Sequence, residues 1–188
     1  ISKSLNSMGI LKLAEQGRLN LGADINNYLK SWKFPYDSLS KNKEITTLHL
    51  LSHTAALGVH GFPGYNRTDS FPSLIQVLNG QRPANTGAIR SYGEPGKAFK
   101  YSGGGTTISQ QLLMDITGKQ YADWMWKNVL KPLGMKNSSY QQPPMDTSNL
   151  ATGYYGNGEP VKGKYHVYPE QAAAGLWTTP SDLARYII

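Results

Sequence analysis

The sequence predicts a mainly helical domain with few strands, and three observations carry that prediction. Residues 1–16, 106–116 and 121–130 suit helices, and glycine or proline stands where each should stop. Clusters of Gly, Pro, Asn and Tyr separate the helical stretches, which marks turns and short extended pieces. No internal repeat and no disordered linker divides the 188 residues, a length suited to one domain.

Taken in order, residues 1–16 carry Leu5, Met8, Leu11 or Lys12, and Glu15 at helical spacing, with Gly17 placed as a C-terminal cap. A short helix is expected over Ala23–Leu29. Another spans Thr46–His53, with Thr46 or Thr47 as N-cap and Leu48, Leu50 and Leu51 as its apolar side. Turn residues dominate Gly58–Pro72, a short helix covers Pro72–Leu78, and a loop leads to Pro95. Phe99–Tyr101 reads as a brief extended piece. Thr106–Ile116 is a helix ended by Gly118, and Tyr121–Leu130 is one stopped by Pro132 and Gly134. Residues 141–170 form an ordered excursion without helix. Thr179, Pro180 and Asp182 then open a last helix, with a capping hydroxyl, proline at the first helical position and an acid three residues after the cap.

Composition removes several function classes. There is no cysteine, so a disulfide scaffold, a thiol nucleophile and a cysteine-ligated zinc are excluded. No apolar run approaches the ~20 residues that span a bilayer. The net charge of +7 favours anionic partners, but the lysines are scattered singly. They form no stripe of the nucleic-acid-binding kind, so no nucleic-acid partner is expected.

Four blocks together resemble the β-lactamase-related serine hydrolases, the family of class C β-lactamases, D-alanyl-D-alanine carboxypeptidases and related esterases. They are ISKSLNSMGILKLAEQGRLNLGADINNYL, ITTLHLLSHTAAL, PGKAFKYSGGGTTISQQLLMDITGKQYADWMWKNVLKPLGM and AAAGLWTTPSDLARYI, in the family's order. The resemblance implies an α/β (α+β) fold of the β-lactamase/transpeptidase type, represented over residues 1–188 mainly by its helical region. The flanking sheet strands, and a Lys-Thr-Gly or His-x-Gly motif after Ile188, are expected outside the chain.

The family's nucleophile lies in a Ser-x-x-Lys motif at a helix start. Ile1, Ser2 and Lys3 match its last three positions, so the nucleophilic serine is expected directly before Ile1. Residues three apart on a helix share a face, which would bring such a hydroxyl to the Lys3 amine. Lysine can take a hydroxyl proton only where burial or nearby positive charge brings its pKa toward neutrality from about 10.4. The second family element is Tyr-x-Asn, and here the residues are Tyr101, Ser102 and Gly103. By resemblance Tyr101 relays protons, its phenolate stabilised by neighbouring cations. The asparagine is missing, which removes an amide that would bind a substrate carbonyl.

The resemblance therefore implies catalysis by Lys3 and Tyr101 through an acyl-serine intermediate on an ester, amide or β-lactam. Ser102, Gly103 and Trp177 are the expected substrate contacts, and Gly103–Gly105 are expected to leave room for substrate at the backbone. No metal and no organic cofactor is expected. The partner is a small-molecule or peptide substrate, bacterial cell-wall peptides included, in an extracytoplasmic setting. The rival is a penicillin-binding or wall-associated module of the same fold without turnover.

Plainer readings stand beside these. Without the flanking blocks, Lys3 is a solvated surface lysine and Tyr101 a packed aromatic with a wet hydroxyl. His49 and His53 have the spacing of two helical metal ligands, with His60 nearby, but no Glu follows His49, and hydrogen-bonded histidines are the favoured reading. Gly103–Gly105 lack the Gly-Lys-Ser/Thr ending of a phosphate loop. Trp124, Trp126 and Trp177 read as core, with Trp177 also placed to line a cleft.

Overall fold

The computed structural model describes residues 1–188 as seven helices joined by turns and irregular segments. They are α1 (Ser2–Glu15), α2 (Thr47–Leu51), α3 (Leu74–Asn79), α4 (Gly103–Thr117), α5 (Tyr121–Met125), α6 (Gln171–Ala174) and α7 (Pro180–Ile187). Backbone pairing is limited to isolated bridges, among them Tyr65 with Val167 and Ser139 with Trp177. None of the helices is long and apolar enough to cross a membrane.

At the centre lies α4, against which α1, α2, α3, α5 and α6 all pack. Every residue from Gly103 to Leu113 is buried, polar ones included. That burial is tolerable because the polar groups are paired. Thr107 donates to the Gly103 carbonyl and Ser109 to the Thr106 carbonyl, while Asn6 of α1 donates to the Ser109 hydroxyl. Gln110 spans the contact with α6, donating to the Pro169 carbonyl and accepting from the Ala172 N–H. The core joins Leu5, Ile10 and Leu13 of α1 to Ile108, Leu112 and Leu113 of α4 and to Trp124 and Met125 of α5.

Local chemistry accounts for most element ends. Gly17 (φ 69°), Gly80 (φ 63°) and Gly118 (φ 65°) follow α1, α3 and α4 in the left-handed conformation that closes helices. Ser73 caps α3 and Thr179 caps α7, each hydroxyl accepting from the N–H three residues on. In α2 the capping box is reciprocal: the Thr46 hydroxyl accepts from His49 N–H, and His49 Nδ1 accepts from Thr46 N–H.

Several expectations need correction. The expected helix at Ala23–Leu29 is only a tight turn over Ile25–Asn27, held by the Asp24 carboxylate accepting from Asn26 N–H. Leu48 is 52% exposed, because so short a helix turns just one side inward and uses Thr47 and Leu50 to do it. The helix after α5 widens into a π turn, Trp126–Leu130, and Trp126 is 39% exposed rather than in the core. At Gly103, α4 starts three residues before the expected Thr106.

Candidate active site

The site forms where the first turn of α1, the turn after α2, the segment entering α4 and the short helix α6 meet. Lys3 is half-buried on α1, and its ammonium donates to the Ala173 carbonyl of α6 at 2.6 Å. The same Nζ lies 5.2 Å from the centroid of the Tyr101 ring, a cation–π approach. Tyr101 is 37% exposed.

Two imidazoles lie against Tyr101. His53 is centred 4.5 Å from its ring and His60 4.8 Å, at interplanar angles of 35° and 43°. His53 Nδ1 accepts from Ser102 N–H at 3.3 Å, which assigns the neutral ring's proton to Nε2. Burial, then the charge of Lys3, then His60 hold the His53 pKa below the usual histidine value, so His53 is neutral at pH 7. His53 sits at φ 57°, a left-handed conformation costly for a non-glycine residue, and its carbonyl accepts from Lys100 N–H at 2.7 Å.

Ser102 and Gly103 do structural work at the start of α4. The Ser102 hydroxyl accepts from Gly105 N–H and donates to the Gly58 carbonyl at 2.8 Å, which makes it the N-cap and points it into packing. Gly103 N–H donates to the His60 carbonyl at 2.9 Å and Gly104 N–H to the Val59 carbonyl at 3.0 Å. A Cβ on Gly103 would stand 3.0 Å from the His60 carbonyl oxygen, and one on Gly104 2.9 Å from that of Gly58. The space expected to admit substrate beside these glycines is thus filled by the 58–60 backbone.

Trp177 is half-buried beyond α6, edge-on to Tyr165 at 5.1 Å, with no partner for its indole N–H. It lines a cavity of about 490 Å³ with Tyr154, Tyr155, Tyr165, Tyr168 and Leu176. That cavity adjoins the Lys3 end of α1, since Leu176 N–H donates to the Ser2 hydroxyl. No group of three or more His, Cys, Asp or Glu is arranged to hold a metal ion.

Two residues here were not singled out from the sequence. Glu170, just before α6, is fully buried, and neither carboxyl oxygen has a hydrogen-bond partner. Desolvation pushes its pKa up to about 7. Val59 is the other, a β-branched residue at φ 59° beside the site. Neither leaves a local sequence signal, because both states follow from what the fold packs around them.

The lysine-bearing helix α1 thus faces Tyr101 at the entry to the buried central helix α4. The β-lactamase family model matches residues 1–188, and the chain belongs to that family. It is 31% identical over 182 residues to protein flp of Staphylococcus aureus (strain MRSA252), covering 96% of this chain and 34% of that protein. The chain thus spans about a third of the length of the curated relatives it matches. Among solved structures it resembles a D-stereospecific amidohydrolase from Streptomyces sp. with a TM-score of 0.77 at 18% identity, covering 99% of this chain and 57% of that one. It resembles the octameric penicillin-binding protein homologue from Pyrococcus abyssi with a TM-score of 0.74 at 23% identity, covering 99% and 42%. The fold is of the β-lactamase/transpeptidase type, of which these residues form a mostly helical part.

Proposed function

We propose that this chain is the Lys3- and Tyr101-bearing part of a serine hydrolase that cleaves an ester, amide or β-lactam through an acyl-serine intermediate. The observation that carries the reading is the meeting of Lys3 and Tyr101, with Nζ 5.2 Å from the ring centroid. A serine directly before Ile1 would stand one helical turn from Lys3, on the same face.

In the proposed cycle that serine oxygen attacks the substrate carbonyl carbon, and its proton passes to the Lys3 amine or the Tyr101 phenolate. The positive end of α1 favours the negative charge on the carbonyl oxygen. Collapse breaks the bond to the leaving alkoxide or amine, which takes a proton from the Tyr101 phenol. Water, deprotonated by the same pair, then attacks the acyl-serine, releasing the carboxylic acid and returning the proton to the serine oxygen. The Ala173 carbonyl fixes one N–H of Lys3 and so the direction of the amine. The aromatic cavity around Trp177 suits a substrate with a bulky apolar acyl group. The proposed setting is extracytoplasmic, with bacterial cell-wall peptides among the substrates, as family resemblance suggests.

Gly103, standing where the family has an asparagine amide, favours an esterase or a D-amino-acid peptidase of relaxed specificity, and the rival reading is a binding module without turnover. One experiment separates them. The full-length protein is treated with a fluorophosphonate and a fluorescent penicillin and assayed on p-nitrophenyl esters, beside Lys3→Ala. Labelling and turnover that both vanish in Lys3→Ala support the hydrolase. Stoichiometric labelling without turnover establishes the binding module instead, and no labelling at all ends both readings.

A further inference from the structure

His60 has no part in the cycle just described, yet its placement is fixed with care. Four hydrogen bonds staple its backbone to the start of α4: Ser102 Oγ to the Gly58 and Val59 carbonyls, Gly103 N–H to the His60 carbonyl, and Gly104 N–H to the Val59 carbonyl. The approach is close enough that neither Gly103 nor Gly104 could carry a Cβ without a shift. It also holds Val59 at φ 59°, where a β-branched residue is strained, and strain of this kind persists only where the surroundings impose it. What this arrangement achieves is to set the His60 imidazole 4.8 Å from the Tyr101 ring.

We propose that His60 is a positioning residue for Tyr101, holding the phenol ring against His53 and Lys3. The inference rests on the hydrolase reading and names a further residue of that site. Three side chains meet the Tyr101 ring: Lys3 from α1, His53 from the turn after α2, and His60. Lys3 is itself held by the Ala173 carbonyl and His53 by Ser102 N–H, so His60, the exposed member, completes the set that fixes the ring. A ring fixed in this way keeps the phenol oxygen in one place relative to the reacting atoms, which proton transfer requires.

The test uses the full-length protein and p-nitrophenyl butyrate, with kcat and KM measured for wild type, His60→Ala and His60→Phe. His60→Ala loses the ring and is expected to lower kcat by about tenfold with KM unchanged. His60→Phe keeps a ring against Tyr101 and is expected to restore most of that loss. A kcat for His60→Ala equal to wild type overturns the proposal, as does a His60→Phe variant no better than His60→Ala. If wild type shows no turnover, the hydrolase reading fails by itself, and NMR decides the positioning role. A ring-current shift of the His60 Hε1 proton that disappears in Tyr101→Leu supports it, and a resonance that does not move overturns it.

Discussion

The Lys3 ammonium is shared between α6, through its 2.6 Å hydrogen bond to the Ala173 carbonyl, and the Tyr101 ring 5.2 Å away. Both α1 and α6 pack on α4, so all three parts of the site are referred to one buried helix. Tyr101 enters that helix, and its position is set by the cap that follows it.

On the proposed hydrolase reading, Tyr101→Phe removes the proton carrier and keeps the ring between Lys3 and the two imidazoles. A general acid–base group contributes about 10²–10⁴ in rate, so kcat for ester hydrolysis should fall by that factor. The melting temperature, followed by circular dichroism, should stay at the wild-type value.

Gly104→Ala should destabilise the protein by roughly 1–3 kcal/mol, the usual range for overpacking. The new methyl would meet the Gly58 carbonyl oxygen at 2.9 Å and two Ile89 carbons at 3.0 Å, neither at the end of a flexible side chain. Urea unfolding measures the loss. Gly118→Ala serves as a comparison in which space is open and only the left-handed backbone is penalised.

Glu170 makes stability fall as pH rises. Its carboxyl has a folded-state pKa of about 7, raised from 4.5 by desolvation. Below pH 4.5 both folded and unfolded chains hold the proton and no penalty arises. Between 4.5 and 7 the unfolded chain releases it first, and the penalty grows to about 3 kcal/mol above pH 7. Glu170→Gln cannot ionise, so the difference in unfolding free energy between variant and wild type should move by that amount in the variant's favour from pH 4.5 to 8. Denaturant titrations at both ends of the window read it, and a constant difference would contradict it.

Asp182→Ala should cost about 1–3 kcal/mol, the range for leaving buried hydrogen-bond donors without an acceptor. The fully buried carboxylate accepts from Asn137 N–H at 2.7 Å, Ser138 Oγ at 2.8 Å and Arg185 at 2.7 Å. All three donors would lose their acceptor, and the junction between residues 137–139 and α7 should loosen. Hydrogen exchange at Asn137 N–H is the local readout.

Elements with a strong local signal were legible from sequence: α1 with Gly17 after it, α7 with Thr179 and Pro180 before it, and α2 with its threonine cap. Lys3 and Tyr101 became candidates only through resemblance, since neither residue announces a site by its own surroundings. The glycine run at 103–105 was misread because glycine disfavours helix interiors by about 1 kcal/mol each relative to alanine. Here the Ser102 cap and the close packing of residues 58–60 outweigh that propensity, and a serine three residues ahead of Gly105 N–H was the available clue. Trp126 and Leu48 were assigned to the core by residue type, whereas short helices and a π turn decide which side faces inward. Glu170 and His60 were beyond sequence reasoning for a common reason. Their significance lies in what the fold packs around them, the burial of the Glu170 carboxyl and, for His60, the ring of Tyr101 far along the chain.

The clearance at Gly103 makes residues 58–60 and the entry to α4 a single mechanical unit. A side chain at position 103, an asparagine included, would require the 58–60 backbone to yield by a few tenths of an ångström, because its Cβ would stand 3.0 Å from the His60 carbonyl oxygen. Any such displacement would be carried to His60 and from there to the Tyr101 ring that it faces.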